Sequence, residues 1–167
     1  METNRNYEIV TLTEKTVAGI SARTNNFAPD MGSVIGGLWQ RFYSEDIYNG
    51  IPDKVNNKAL GIYTEYDGKE KDDYTVVTAC EVETDRKTDG SFLAQCSQIA
   101  GDIKIMTIPA GKYARFIAKG DMHEAVAAAW QEIWNTDLPR SFVCDFEEYQ
   151  NNDMEQAEIH IYIGLKE

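Results

Sequence analysis

The stretch VCDFEEYQNNDMEQAEIHIYIGL, residues 143–165, predicts two strands joined by a polar turn. Its first strand carries two adjacent carboxylates, Glu147 and Glu148, between Phe146 and Tyr149. Side chains alternate between the faces of a strand, so Glu148 can face water while Glu147 shares a face with Tyr149. A carboxylate beside an aromatic ring on the inner face of a sheet indicates either a cation-binding site or an unfavourable buried charge.

A pattern of strands and one helix occupies the first half of the chain. Residues 7–24 predict two strands about a Glu-Lys turn. A helix is predicted for Met31–Tyr43, because apolar residues recur there at helical spacing. Strands predicted for 57–68 and 73–83 complete this half.

The same order of elements follows in the second half. Residues 103–120 predict two strands, and a helix begins after Asp121, which forms a capping box with Glu124. The apolar stripe of that helix, which is interpreted as core, consists of Val126, Trp130, Ile133 and Trp134. The last two strands are those of the stretch quoted above.

Short sequence echoes support a duplication. LWQRFY (38–43) aligns with AWQEIW (129–134), and YTEY (63–66) aligns with FEEY (146–149), which matches Glu147 with Thr64. We therefore predict an α+β fold in a single domain spanning 1–167, with repeat halves of about 1–83 and 103–167 and a polar connector, 84–102. If the halves meet about a pseudo-twofold axis, Glu147 is an acid without a counterpart in their shared groove.

The composition restricts the class of protein. A formal net charge of -12 and a pI of about 4.6 argue against direct binding of nucleic acid, which needs clustered Lys and Arg. Three widely spaced cysteines predict reduced, buried thiols. With no signal peptide and no transmembrane stretch in the sequence, the expected location is the cytoplasm and no membrane association is expected.

Recognisable catalytic and metal-binding motifs are not found in the sequence. His123 and His160 have no partner at metal-ligand spacing, and no phosphate-binding loop or nucleophile elbow occurs. No Ser/His or Cys/His nucleophile set is visible. The sequence therefore predicts neither a metal nor a cofactor.

The ordered elements resemble the GyrI-like, or AraC-type effector-binding, family of small-molecule-binding domains. They are Pro109–Tyr113 in a Pro-x-Gly-x-Tyr arrangement, Trp134 near a helix end, the Phe-Glu-x-Tyr strand at 146–149 and the last strand, Glu158–Leu165. The resemblance covers nearly the whole chain. It departs from the family pattern at Gly164, where the family often has a proline.

The resemblance implies two β-α-β-β modules side by side with a ligand groove between them. It implies hydrophobic, often cationic, ligands, with Glu147 as the central acid and with groove aromatics at Tyr149, Tyr113, Trp39 and Tyr63. Many family members are fused to a DNA-binding domain. Because the first predicted strand begins at residue 7, this chain is expected to be a stand-alone member.

Three functions remain open at this point. The first is binding or sequestration of a lipophilic, cationic drug or toxin, or sensing of it through a separate regulator. The second is hydrolysis of electrophilic toxins, with Glu147 as base and Tyr149 or Tyr113 as proton donor; an enzyme is the less favoured reading. The third is inhibition of DNA gyrase by an acidic surface. A monomer and a homodimer are both compatible with a duplicated fold.

Overall fold

A computed structural model describes residues 7–25, 28–68, 72–83, 89–151 and 153–166. These residues form eight strands and four helices: β1 (Tyr7–Leu12), β2 (Lys15–Thr24), α1 (Met31–Ser44), α2 (Ile47–Gly50), β3 (Ala59–Thr64), β4 (Tyr74–Val82), α3 (Gly90–Ile99), β5 (Lys104–Ile108), β6 (Gly111–Gly120), α4 (Met122–Asn135), β7 (Arg140–Tyr149) and β8 (Ala157–Leu165). The mixed architecture of helices and sheet agrees with the sequence prediction.

The eight strands form one antiparallel sheet in the order β1-β6-β8-β7-β3-β4-β2-β5. Its strands are rich in Val, Ile, Thr and Tyr, which suit a pleated surface. β3 and β7 are neighbours at the centre, where Gly61 lies opposite Glu147. The duplication of modules and the pseudo-twofold axis stay predictions.

The two strands within residues 7–24 do not pair with each other. β1 pairs with β6 and β2 pairs with β5, and the register is unbroken from Tyr7 opposite Phe116 to Gly19 opposite Lys104. Residues 7–19 and 104–116 therefore pair with each other along a bend, as parts of two long strands. The local turn signals predicted the bends but not these distant partners.

This pairing requires the sheet to curl. In a flat sheet β1 and β2 would lie about 29 Å apart, six spacings of about 4.8 Å. The two residues between Leu12 and Lys15 can span at most about 11 Å. The concave face closes on an apolar cluster that includes Val17, Ile62 and Phe146, together with β-strand residues of both halves.

Helices α1 and α4 cover the convex face of the sheet and leave a gap between them. α1 packs on β2 and β4, whereas α4 packs on β6 and β8. Leu38 and Phe42 are the buried residues of α1, and Ala129 and Ile133 are those of α4. The central strands β3 and β7 are thus exposed to the gap between the two helices.

The predicted polar connector contains a helix, α3. Asp89 caps it by accepting hydrogen bonds from the backbone N–H groups of Ser91 and Phe92. Phe92 and Cys96 are buried in the same core as α1, so the apolar insert packs inside the protein. Residues 84–88 of the connector lie outside the described residues.

Candidate functional site

Glu147 lies at the centre of the sheet, in the gap between α1 and α4. Only 2% of the residue is exposed. Its Oε2 accepts hydrogen bonds from Tyr63 Oη at 3.1 Å and Trp130 Nε1 at 2.7 Å, and its Oε1 accepts one from Tyr149 Oη at 2.8 Å. All three donors are neutral, and Glu147 forms no salt bridge within the part of the chain that the structure describes. The site therefore holds a buried carboxylate without a cationic partner.

The environment of Glu147 raises the pKa of its carboxyl group. Burial is the largest cause, because it disfavours the charged form. The three hydrogen bonds from Trp130, Tyr149 and Tyr63 oppose this effect by stabilising the carboxylate. The same arrangement raises the pKa values of Tyr63 and Tyr149, since burial and the nearby acid both disfavour a phenolate.

Gly61 creates the space that Glu147 occupies. It lies directly opposite Glu147 on β3, and a Cβ at this position would lie 3.1 Å from Glu147 Oε1 and 3.0 Å from Trp39 Cζ2. Both distances are tighter than ordinary contacts. A side chain at position 61 would therefore push against the carboxylate and the ring that covers it.

We expect Gly61→Ala to destabilise the protein by about 1–3 kcal/mol. The added methyl group overpacks the folded state, and this cost exceeds the stabilisation that alanine gives by reducing the entropy of the unfolded chain. Urea unfolding of the variant measures the change. Gly36→Ala in α1 is the matched control: no atom lies within 4 Å of its added Cβ, so helix propensity should leave stability unchanged or higher. An unchanged unfolding midpoint for Gly61→Ala would contradict the close packing of this site.

Four of the five sequence-predicted site residues come together here. Tyr149 and Tyr63 each donate a hydrogen bond to Glu147, and Trp39 packs edge-on against Tyr149 with ring centroids 5.2 Å apart. The structure does not bring Tyr113 to this group. Tyr113 lies in the apolar cluster on the concave face, packs against Phe146 and donates its hydroxyl to Pro109 O at 2.6 Å.

Two other expectations about this strand were wrong. Glu148 was expected to face water, but it is only 8% exposed; Lys58 Nζ lies 3.6 Å from its carboxylate and Gln150 donates a hydrogen bond to it. Thr64 was aligned with Glu147, but the two side chains lie on opposite faces of the sheet. Since Tyr63 shares the face of Glu147, strand alternation places Thr64 on the opposite face.

Trp130, which was interpreted as core, is a direct partner of Glu147. Its ring also packs edge-on against Tyr63, and the neighbouring Trp134 is 46% exposed. The buried stripe of α4 is instead Ala129 and Ile133. The alignment of Trp39-Gln40 with Trp130-Gln131 could have indicated this role for Trp130, because Trp39 was already a predicted site residue.

A cavity of about 250 Å³ opens beside Glu147, between the two helices. This volume lies just below the roughly 300–1,000 Å³ that is typical of ligand sites. Its wall is largely aromatic and aliphatic. Glu147, Gln131 and Arg140 contribute charged or amide groups to it. The other lining residues are Met31, Ile35, Tyr63, Tyr66, Tyr74, Val126, Ala127, Trp130 and Trp134.

A second buried acid, Asp145, lies two residues before Glu147 and faces the same side of β7. Its Oδ2 accepts from Arg140 Nη2 at 2.7 Å and from the hydroxyl of Tyr66, and its Oδ1 accepts from Gly164 N at 2.8 Å. Burial raises the pKa of Asp145, and Arg140 is the strongest opposing influence. Of the two carboxylates, Asp145 is therefore neutralised within the protein and Glu147 is not.

Arg140 reaches Asp145 because β7 is irregular. Its register with β8 shifts between Arg140 and Asp145, and Phe142 adopts a left-handed backbone conformation with φ of 53°. The Arg140 guanidinium lies over the Phe142 ring, 4.3 Å from its centroid. Neither Arg140 nor Asp145 was a predicted site residue, although strand alternation places Asp145 on the same face as Glu147.

The described residues contain no group of three or more His, Cys, Asp and Glu side chains that could hold a metal ion. The three cysteines are free and buried. Among the described helices, none has both the length and the hydrophobicity that crossing a membrane requires.

An aromatic cavity with one buried carboxylate, set between two helices on a curled sheet, defines a small-molecule-binding domain. The model of the Cass2 family, integron-associated effector binding protein, matches residues 8–165. The chain belongs to this family. No protein of curated function matches it in sequence.

Solved structures share this fold. The integron cassette protein VCH_CASS2 of Vibrio cholerae is 23% identical with a TM-score of 0.72, over 96% of this chain and 95% of that one. SAV2435 bound to tetraphenylphosphonium is 20% identical with a TM-score of 0.74, over 96% and 93%. A putative transcription regulation protein of Staphylococcus aureus MU50 is 20% identical with a TM-score of 0.67, over 96% and 98%. These matches show that the fold is shared; the GyrI-like and AraC-type descriptions stay predictions.

Proposed function

We propose that the protein binds lipophilic cationic small molecules in the cavity between α1 and α4, with Glu147 as their counter-charge. The observation that carries this proposal is the burial of Glu147 among neutral donors, with no cationic partner in the described chain. A buried charge is strongly unfavourable unless it is compensated. A cation in the cavity would supply that compensation.

The aromatic wall suits the same class of ligand. Rings of Tyr63, Trp130 and Trp134 line the cavity, and a cation over such a ring gains roughly 0.5–2 kcal/mol. Arg140 lines the cavity as well, but its charge is paired with Asp145. The structure of SAV2435 with tetraphenylphosphonium supports the proposal, because that ligand is a lipophilic cation and the fold is shared.

Titration with a panel of lipophilic cations and neutral isosteres tests this function. Trp130 donates to Glu147 and lines the cavity, so tryptophan fluorescence should report occupancy. The expected result is saturable binding of the cations that is at least about tenfold tighter than that of neutral compounds of the same shape. Equal affinity for charged and neutral members of each pair would refute the proposal.

We expect the affinity for tetraphenylphosphonium to fall in acid. The ligand keeps its charge at every pH, whereas the carboxyl group of Glu147 has a pKa above its usual value and must ionise to attract it. Below that pKa the dissociation constant should rise about tenfold per pH unit, and above it the constant should be flat. Calorimetry from about pH 4.5 to 8 measures this. The neighbouring Asp145 also titrates, and Glu147→Gln separates the effects of the two acids. The dissociation constant of this variant should not depend on pH; a remaining dependence would be due to Asp145.

The empty protein should show the opposite pH dependence in its stability. The folded-state pKa of Glu147 lies above its unfolded value, so the group contributes stability below the unfolded pKa. That contribution is lost as the pH rises through the folded pKa. A bound cation offsets this loss.

Hydrolysis of an electrophile is the second candidate. A buried acid of raised pKa beside the hydroxyls of Tyr63 and Tyr149 favours it, since such a pair can move protons. Oε2, however, already accepts two hydrogen bonds, which leaves it poorly placed to activate a water molecule. Product formation from reactive epoxides or cyclopropanes, lost in Glu147→Gln, would favour this candidate. Inhibition of gyrase stays a prediction.

We also infer that the fold arose by duplication. From one edge of the sheet to its centre the strands are β1, β6, β8 and β7, and from the other edge they are β5, β2, β4 and β3. These two series match if each strand of one half corresponds to the strand at the same position in the other half. The helices α1 and α4 then correspond as well, each on its own half of the sheet.

A further inference from the structure

Glu147 already uses three of the roughly four lone-pair sites that a carboxylate offers. Oε2 accepts from both Tyr63 and Trp130, and these two residues line the cavity. Oε1 accepts from Tyr149, which does not line it. We call Oε2, whose two donors both line the cavity, the cavity-side oxygen; both of its lone pairs are occupied.

The remaining lone pair belongs to Oε1, whose donor Tyr149 does not line the cavity. A Cβ at position 61 would lie 3.1 Å from Oε1 and 3.0 Å from Trp39 Cζ2, so Oε1 lies beside Gly61, and Gly61 lies beside the Trp39 ring. Neither residue lines the cavity. A ligand in the cavity experiences the charge of Glu147 but finds no free carboxylate lone pair to which it could donate.

The other side-chain oxygens on the described cavity wall are neutral. They are the phenol oxygens of three tyrosines and the amide oxygen of Gln131. A protonated primary amine brings three N–H donors, and each loses its hydrogen bond to water on entry. A quaternary ammonium or phosphonium ion has no such donor, and the carboxylate and the aromatic faces attract its charge without a hydrogen bond.

Building on the function proposed above, we infer that the site selects cations without N–H donors, namely quaternary ammonium and phosphonium compounds, over protonated amines. The selectivity arises from the hydrogen bonds that Tyr63 and Trp130 already make to Oε2. Those bonds stabilise the charged form of the carboxyl group and leave Oε2 unavailable as an acceptor.

Calorimetric titration with four related ligands tests this inference. They are 2-naphthylmethyl-trimethylammonium, 2-naphthylmethylammonium and the two neutral hydrocarbons in which carbon replaces nitrogen. At about pH 7 both nitrogen compounds carry one charge, and the hydrocarbon pair measures the effect of the extra methyl groups alone. After that correction, the quaternary ion should bind at least about tenfold more tightly than the primary one.

Two single-hydroxyl variants extend the test. Tyr63→Phe frees a lone pair on the cavity-side oxygen, so the ratio of quaternary to primary affinity should fall severalfold. Tyr113→Phe removes a hydroxyl from the apolar cluster on the opposite face of the sheet, where it donates to Pro109 O, and the ratio should not change. A ratio that is the same in Tyr63→Phe as in the unaltered protein would overturn the inference.

The possible failures are distinguishable. If both cations bind more tightly than their hydrocarbons but equally after correction, the inference is wrong while the proposed function stands. If neither cation binds more tightly than its hydrocarbon, the proposed function is wrong and the inference fails with it.

Discussion

Glu147→Gln should weaken the binding of tetraphenylphosphonium by about 30- to 1,000-fold. This range corresponds to about 2–4 kcal/mol, which is typical of removing one partner of a buried charge interaction. The substitution keeps the shape of the side chain and an oxygen that can accept hydrogen bonds, so the cavity should persist. Binding of a neutral isostere should therefore be unchanged or tighter, and calorimetry with both ligands measures the two effects.

Glu148→Gln is the matched control for this experiment. It removes the same charge from the next residue of β7, but Glu148 lies on the opposite face and is paired with Lys58. Its affinity for the cation should stay within about twofold of the unaltered protein. A similar loss in both variants would mean that net charge, rather than the position of Glu147, governs binding.

Arg140→Met should cause the largest loss of stability, about 3–5 kcal/mol. The substitution leaves Asp145, which is fully buried, without its cationic partner, and an uncompensated buried charge is strongly destabilising. Chemical denaturation at neutral pH measures the change. A loss of this size is a large part of the 5–15 kcal/mol that stabilises a typical domain.

Two comparisons identify the buried charge as the cause. The double variant Arg140→Met/Asp145→Asn removes both charges and should recover most of the stability, since Asn can still accept from Gly164 N. Arg41→Met breaks an exposed ion pair with Asp102 and should cost less than about 1 kcal/mol. If the double variant is as unstable as Arg140→Met, packing of the arginine on Phe142 explains the loss instead.

The pH dependence of Arg140→Met follows from the same argument. Burial already raises the pKa of Asp145, and loss of Arg140 raises it further. A group whose folded-state pKa exceeds its unfolded value contributes stability at low pH and loses it as the pH rises. The variant should therefore approach the stability of the unaltered protein as the pH falls.

The sequence was sufficient to predict the strands, the two long helices and the face of β7 on which Glu147 lies. Alternation along β7 placed Glu147 and Tyr149 on one face, and the sequence signals gave α1 to within a residue and the first residue of α4. The resemblance to an effector-binding family added Trp39 and Tyr63, which lie beside Glu147. These successes depend on local periodicity and on motif order, both of which a single sequence displays.

The errors concern properties that are not local. Tyr113 was placed in the groove because its motif matched, but its face depends on the register of β6 against β8. The Arg140–Asp145 pair depends on an irregularity in β7 that side-chain alternation alone does not predict. Trp130 was treated as core because apolar spacing on a helix does not distinguish a ring that fills a core from one that donates to an acid.

The long pairing of residues 7–19 with residues 104–116 also has a consequence for the order in which the protein can fold during synthesis. Within the sheet β1 pairs only with β6, so it has no partner until nearly a hundred further residues have been translated. Pairing between such distant segments is entropically demanding and slows folding. β2, β3 and β4 can pair with one another before then, but β1 stays unpaired until the second half has been synthesised.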